Sequence, residues 1–159
     1  MFKPKKLDIK NFLSSSDISK EELIYILRLA EKFKKKQLKI NLSEKVLGLI
    51  FDKSSTRTRV SFQVAMSRLS ATTIDLNPNT SQIGRGEPIK DTARVLSKYC
   101  DVLAIRTFHQ ADLEEYAKWS SVPIVNALTD LEHPCQALAD YLTIKAVSYT
   151  HLRAHETKK

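Results

Sequence analysis

Apolar and polar positions change rhythm several times along this chain. Leu23, Ile26, Leu27, Ala30 and Phe33 recur at helical spacing. Just before them, Ser19 and Glu22 stand in the Ser-x-x-Glu arrangement of a capping box, which places a helix start at Ser19. The pattern then shortens. Val46 to Phe51 is a continuous apolar run of the kind buried on both faces of a parallel sheet, and it is expected to be a central strand. Three further strand-like runs follow at residues 72–76, 102–105 and 122–126. Pro123 cannot donate to a ladder, so the last of these starts late or lies near an edge. Helical patterns separate and follow the strands: Phe62, Ala65, Met66 and Leu69; Ile89, Ala93 and Leu96; Leu113, Tyr116 and Ala117; Leu138, Tyr141 and Leu142. Strand and helix alternate four times, which predicts an α/β fold with a parallel four-stranded sheet flanked by helices.

In such sheets ligands bind beyond the carboxyl ends of the strands, where helix N-termini bring unpaired N–H groups. The polar clusters follow strands in that way. Asp52 to Arg59 comes directly after the first strand and carries the hydroxyls of Ser55, Thr56 and Thr58 with the guanidinium of Arg57, a set suited to a phosphate. An ordinary helix cap with surface arginines accounts for it equally well. There is no glycine-rich triphosphate loop, which argues against a nucleotide triphosphatase. Arg106-Thr107-Phe108-His109 ends the third strand, and Leu131-Glu132-His133-Pro134-Cys135-Gln136 follows the fourth. Pro134 suits the first position of a helix, from whose start His133 and Gln136 would project. A histidine there can donate to a carbonyl oxygen, and a glutamine amide can both donate and accept. The plainer account is an exposed arginine, a capping histidine and a small buried cysteine. Taken together, the three strand ends suit a phosphate joined to a small carbonyl group, an acyl or carbamoyl phosphate.

Composition narrows the picture. The 159 residues, 42% apolar and 28% charged, describe one soluble globular domain. No apolar run reaches membrane-spanning length and no secretory leader is evident, so a cytoplasmic protein without membrane contact is expected. Two cysteines without a Cys-x-x-Cys pair indicate reduced thiols. The net charge of +8 raises a basic nucleic-acid-binding module as one reading. Residues 1–40 carry 11 Lys and Arg against 5 Asp and Glu, however, with Lys32, Lys34, Lys35, Lys36 and Lys39 at a helix end where cations complement the dipole. No nucleic-acid partner is therefore expected.

Through Ser55-Thr56-Arg57-Thr58-Arg59, Arg106-Thr107 and His133-Pro134-Cys135-Gln136, the chain resembles the aspartate and ornithine carbamoyltransferases. Cys135, together with residues 81–87 and 91–96, points to the ornithine branch of that family. The likeness covers most of residues 5–145. It implies that Ser55, Thr56, Arg57 and Thr58 hold a phosphate, that Arg106, His133 and Gln136 are the catalytic groups at the carbamoyl carbonyl, and that Pro134 and Cys135 complete the carbamoyl-phosphate site. Gln82, on the polar loop from Asn77 to Gly86, would reach a neighbouring subunit's site in a homotrimer. The implied reaction is attack of the ornithine δ-amine on carbamoyl phosphate to give citrulline, a step of arginine biosynthesis that needs no metal and no organic cofactor. The family's ornithine-binding second domain has no counterpart here, so the chain is expected to carry only the carbamoyl-phosphate half, in residues 1–145, and to be inactive as it stands. A stand-alone anion-binding domain of the same fold is the alternative. Residues 146–159 do not resemble the family and are expected to be a foreign or disordered tail. Within them His151 and His155 have metal-ligand spacing, but two ligands make a poor site.

Overall fold

The computed structural model describes residues 5–78 and 81–156, with side chains to Val147. His151 and His155 therefore lie outside the described side chains, and Asn79 and Thr80, in the loop from Asn77 to Gly86, lie outside the described residues.

The first helix, α1 (Lys20–Lys34), starts where its cap dictates. Ser19 Oγ accepts the Glu22 N–H at 3.1 Å, and Glu22 Oε2 accepts the Ser19 N–H at 2.9 Å. The second carboxylate oxygen of Glu22 takes the Asp8 N–H at 2.8 Å, so a buried glutamate also ties the N-terminal segment to the helix. Four parallel strands follow, β1 (Val46–Phe51), β2 (Thr72–Leu76), β3 (Val102–Arg106) and β4 (Ile124–Leu128). Their order in the sheet is β2-β1-β3-β4, which makes β1 central as its unbroken apolar run requires.

The two outer strands are set apart from β1 and β3. β4 begins at Ile124, immediately after Pro123, and forms an edge, the late start and edge place expected from that proline. That edge is partly closed by the N-terminal segment: the Phe12 N–H donates to the Ile124 carbonyl at 2.8 Å, and the Asn126 N–H to the Phe12 carbonyl at 2.8 Å. β2 is the other edge, and none of its residues is buried.

Helices cover both faces of the sheet. Ile50, Leu103, Ile105 and Ile124 point to one side and pack with Ala93 of α3 (Ile89–Leu96) and with Leu113 and Tyr116 of α4 (Gln110–Trp119). The alternate residues Leu47, Leu49, Phe51, Ala104 and Ala127 point to the other side, where Phe62 and Met66 of α2 (Arg57–Arg68) cover them. The last helix, α5 (Pro134–Glu156), starts at Pro134 and continues past residue 145 without a break. The pairing of Lys145 Nζ with Glu31 Oε1 at 2.8 Å joins α5 to α1.

Candidate anion-binding site

The register sets which residues meet. Phe51 pairs with Arg106, and Arg106 with Leu128, so the carboxyl ends of β1, β3 and β4 lie side by side. The chain passes from β1 outward to β2 and then returns to the opposite side of β1 as β3. The gap between the ends of β1 and β3 is therefore the topological switch point of the sheet.

An open hollow of about 280 Å³ lies there, lined by Ser54, Ser55, Thr56, Arg57, Thr58 and Arg106. Five of these belong to the segment that leaves β1 and begins α2. Thr56 occupies the helix cap position, yet its hydroxyl makes no capping hydrogen bond. The first-turn N–H groups of α2 have no intrahelical acceptor and form the positive end of the helix dipole. The two arginines of the segment part company. Arg59 Nη1 pairs with Asp75 Oδ1 of β2 at 2.5 Å and its guanidinium lies 5.0 Å from the Phe51 ring centre, while the exposed Arg57 lines the hollow.

From β3, Arg106 Nη1 donates to Ser55 Oγ at 3.4 Å, a long hydrogen bond. Its Nε is buried with no partner among the described residues. A buried N–H donor without an acceptor is costly, and an oxyanion in the hollow would satisfy it. His133, at the start of α5, brings its Nε2 to 3.5 Å from Thr58 Oγ1, and its Nδ1 is likewise buried and unpartnered among the described residues. Burial, and after it the Arg106 guanidinium, holds the imidazole below its ordinary pKa and so in the neutral form.

The remaining candidates sit apart from the hollow. Pro134 is fully buried beneath the start of α5. Cys135 turns inward, its Sγ 3.5 Å from the Asn126 carbonyl, and burial pushes its thiol up to about 11. Gln136 is exposed and donates to Asp140 Oδ1 at 2.8 Å, one turn along the same helix. Gln82 is exposed on the loop after β2, its carbonyl accepting from Arg85 and Glu87. Ser54 was not singled out from the sequence; its place within the polar run after β1 was the available signal. Among the described residues no group of three or more His, Cys, Asp or Glu is placed to hold a metal, and no helix is long and apolar enough to cross a membrane.

This fold and this hollow define a class, an α/β domain that gathers hydroxyls, helix-start N–H groups and two guanidinium groups at its switch point, a set suited to an oxyanion. More particularly, the chain belongs to the aspartate/ornithine carbamoyltransferase family, whose carbamoyl-P binding domain its residues 10–146 match. An ornithine carbamoyltransferase of Prochlorococcus marinus subsp. pastoris is 76% identical over 144 residues, which is 91% of this chain and 47% of that protein. The crystal structure of ornithine carbamoyltransferase from Gloeobacter violaceus superposes with a TM-score of 0.80 at 50% identity, covering 89% of this chain and 46% of that one. Aspartate transcarbamoylase from Trypanosoma cruzi, in complex with aspartate and phosphate, superposes with a TM-score of 0.80 at 34% identity over 86% of this chain and 44% of that one. The chain thus spans about half the length of the relatives it matches.

Proposed function

We propose that this chain forms the carbamoyl-phosphate half of an enzyme that carbamoylates the δ-amine of ornithine, releasing citrulline and phosphate. The observation that carries the reading is the buried, unpartnered Nε of Arg106 at a hollow lined by Ser54 to Thr58. In this reading the hydroxyls of Ser55, Thr56 and Thr58, the first-turn N–H groups and Arg57 hold the phosphate. Arg106 bridges phosphate and carbonyl, and His133, kept neutral, donates a proton-bearing ring nitrogen to the carbamoyl oxygen as it gains negative charge. Gln136 would turn from Asp140 to take the carbamoyl NH2, and Pro134 and Cys135 fix the helix start behind it. No metal is required, because positioning and a fixed positive field stabilise the tetrahedral intermediate.

The likeness in name and sequence of the ornithine-specific relatives supports the ornithine branch. The amino acid itself would be held by sequence beyond the half that this chain spans. A homotrimer, with Gln82 of one subunit reaching the next subunit's hollow, belongs to the same proposal, as do a cytoplasmic setting and a place in arginine biosynthesis. Residues 147–159 fall after the family match, and residues 146–159 are read as a non-family tail.

Calorimetry with carbamoyl phosphate tests the proposal. The chain should bind it, and Arg106→Ala should weaken binding by at least about tenfold, the scale of one charge-assisted hydrogen bond. Equal affinity in the two proteins would remove Arg106 from the site and the reading with it.

A further inference from the structure

The turn that presents His133 is held at both ends by one buried amide. Asn126, 0% exposed in β4, accepts the Leu128 N–H through Oδ1 at 2.8 Å. Its Nδ2 donates to the Leu13 carbonyl at 2.8 Å and reaches the Glu132 carbonyl, one residue before His133, at 3.5 Å. The Cys135 thiol, two residues after His133, meets the Asn126 backbone carbonyl at 3.5 Å. Leu128 itself has φ 144, a backbone region that a branched side chain disfavours. Such a conformation persists only where its surroundings over-determine it, and here the Asn126 side chain and the Thr107 N–H, 3.1 Å from the Leu128 carbonyl, do so. Thr107 follows Arg106, so the same contacts lock the β4 end to the β3 end.

We propose that Asn126 is a positioning residue for His133, acting by clamping Leu128 and Glu132 so that the imidazole stands beside Thr58 at the hollow. The proposal rests on the carbamoyl-phosphate reading and adds to it a residue that touches neither ligand nor hollow. A position that needed only volume would take a leucine at no polar cost, whereas a buried amide must have its donors and acceptors matched. Each of the partners of this one sits at an end of the turn or on the N-terminal segment behind it. Asn126→Asp keeps the shape and sets a carboxylate oxygen against the Leu13 and Glu132 carbonyls, which opens the clamp.

The test titrates the 159-residue chain and its Asn126→Asp variant with inorganic phosphate and with carbamoyl phosphate, beside thermal melts of both. In the unsubstituted chain carbamoyl phosphate should bind tighter than phosphate, by the contribution of His133 and its neighbours. In the variant phosphate affinity should stay within about threefold, because the hollow is built from β1 and β3, while the advantage of carbamoyl phosphate falls by about tenfold, the scale of one hydrogen bond. If the unsubstituted chain shows no such advantage, the carbamoyl reading fails first. If the advantage is present and survives in the variant, or if both ligands weaken equally, the positioning role is wrong while the reading stands. Should Asn126→Asp not fold, amide exchange in the unsubstituted chain decides: slow exchange at Leu128 supports the clamp, and exchange at the rate of an open chain overturns it.

Discussion

Arg57 and Arg106 approach the same hollow from different strands, and their surroundings make them unequal. Arg57 is exposed and meets a ligand as a solvated charge, whereas part of the Arg106 guanidinium is already stripped of water. Arg57→Ala is expected to weaken phosphate binding by about 1.5–3 kcal/mol, as read by calorimetry. The His133 ring gives a second expectation at this scale. Its pKa is depressed by burial and by Arg106, so the folded state binds its proton less readily than the unfolded chain does. The stability that this neutral ring contributes is complete above the ordinary imidazole value near 6.5 and is lost as pH falls through the depressed value. Thermal melts from neutral pH downward should fall more steeply for the native chain than for His133→Gln. The thiols follow the same logic with the opposite consequence. Burial raises both Cys100 and Cys135, the latter to about 11, so neither should alkylate at mildly alkaline pH until the chain is unfolded. Rapid labelling of Cys135 in folded protein would show that the start of α5 is not packed as described.

Among the elements, β1 has least room for change. A Cβ on Gly48 would stand 2.6 Å from Leu103 Cδ2 and 3.0 Å from Cys100 Sγ, and Leu103 is 0% exposed with nowhere to move. Gly48→Ala should therefore cost about 1–3 kcal/mol of stability in urea denaturation while leaving phosphate affinity intact in the folded fraction. Much of this architecture was legible beforehand, because the governing signals are local. The capping box of Ser19 and Glu22 and the unbroken apolar run of β1 each depend on a few neighbouring residues. What escaped depends on distant partners. The late start of β4 was foreshadowed by Pro123, which accepts from Leu103 but cannot donate, whereas the docking of Asn11 and Phe12, far away in sequence, on that strand was not. The exposure of β2 follows from strand order, which hydrophobic pattern does not encode. Within the site, the residue types and their strand-end positions could be read from the chain. A buried Cys135 was one of the readings open from the sequence, but the pairing of Gln136 with Asp140 could not be read, since it is settled by which face of α5 meets the sheet.

For the molecule as a whole, the hollow is open, and the chain spans about half the length of its relatives. Holding and orienting an attacking amine can supply about 7–11 kcal/mol of a barrier, and among the described residues the hollow's lining, hydroxyls and arginines, offers no carboxylate to do so. The purified chain is thus expected to bind carbamoyl phosphate without forming citrulline at a measurable rate, and a citrulline assay beside a version extended by a relative's remaining half checks this. Comparable turnover by the two would place the amine-handling groups within these residues after all. The docking of the N-terminal segment on β4 bears on how such a molecule comes to be assembled. Asn11 and Leu13 find their partners, Ile124 and Asn126, across a separation of 113 residues. Loop closure over that length is slow compared with the local pairing of β1 with the elements around it. A chain growing from its N-terminus must therefore carry residues 11–13 without their β4 partners until β4 has been synthesised, so closure of this sheet edge belongs among the last events of folding.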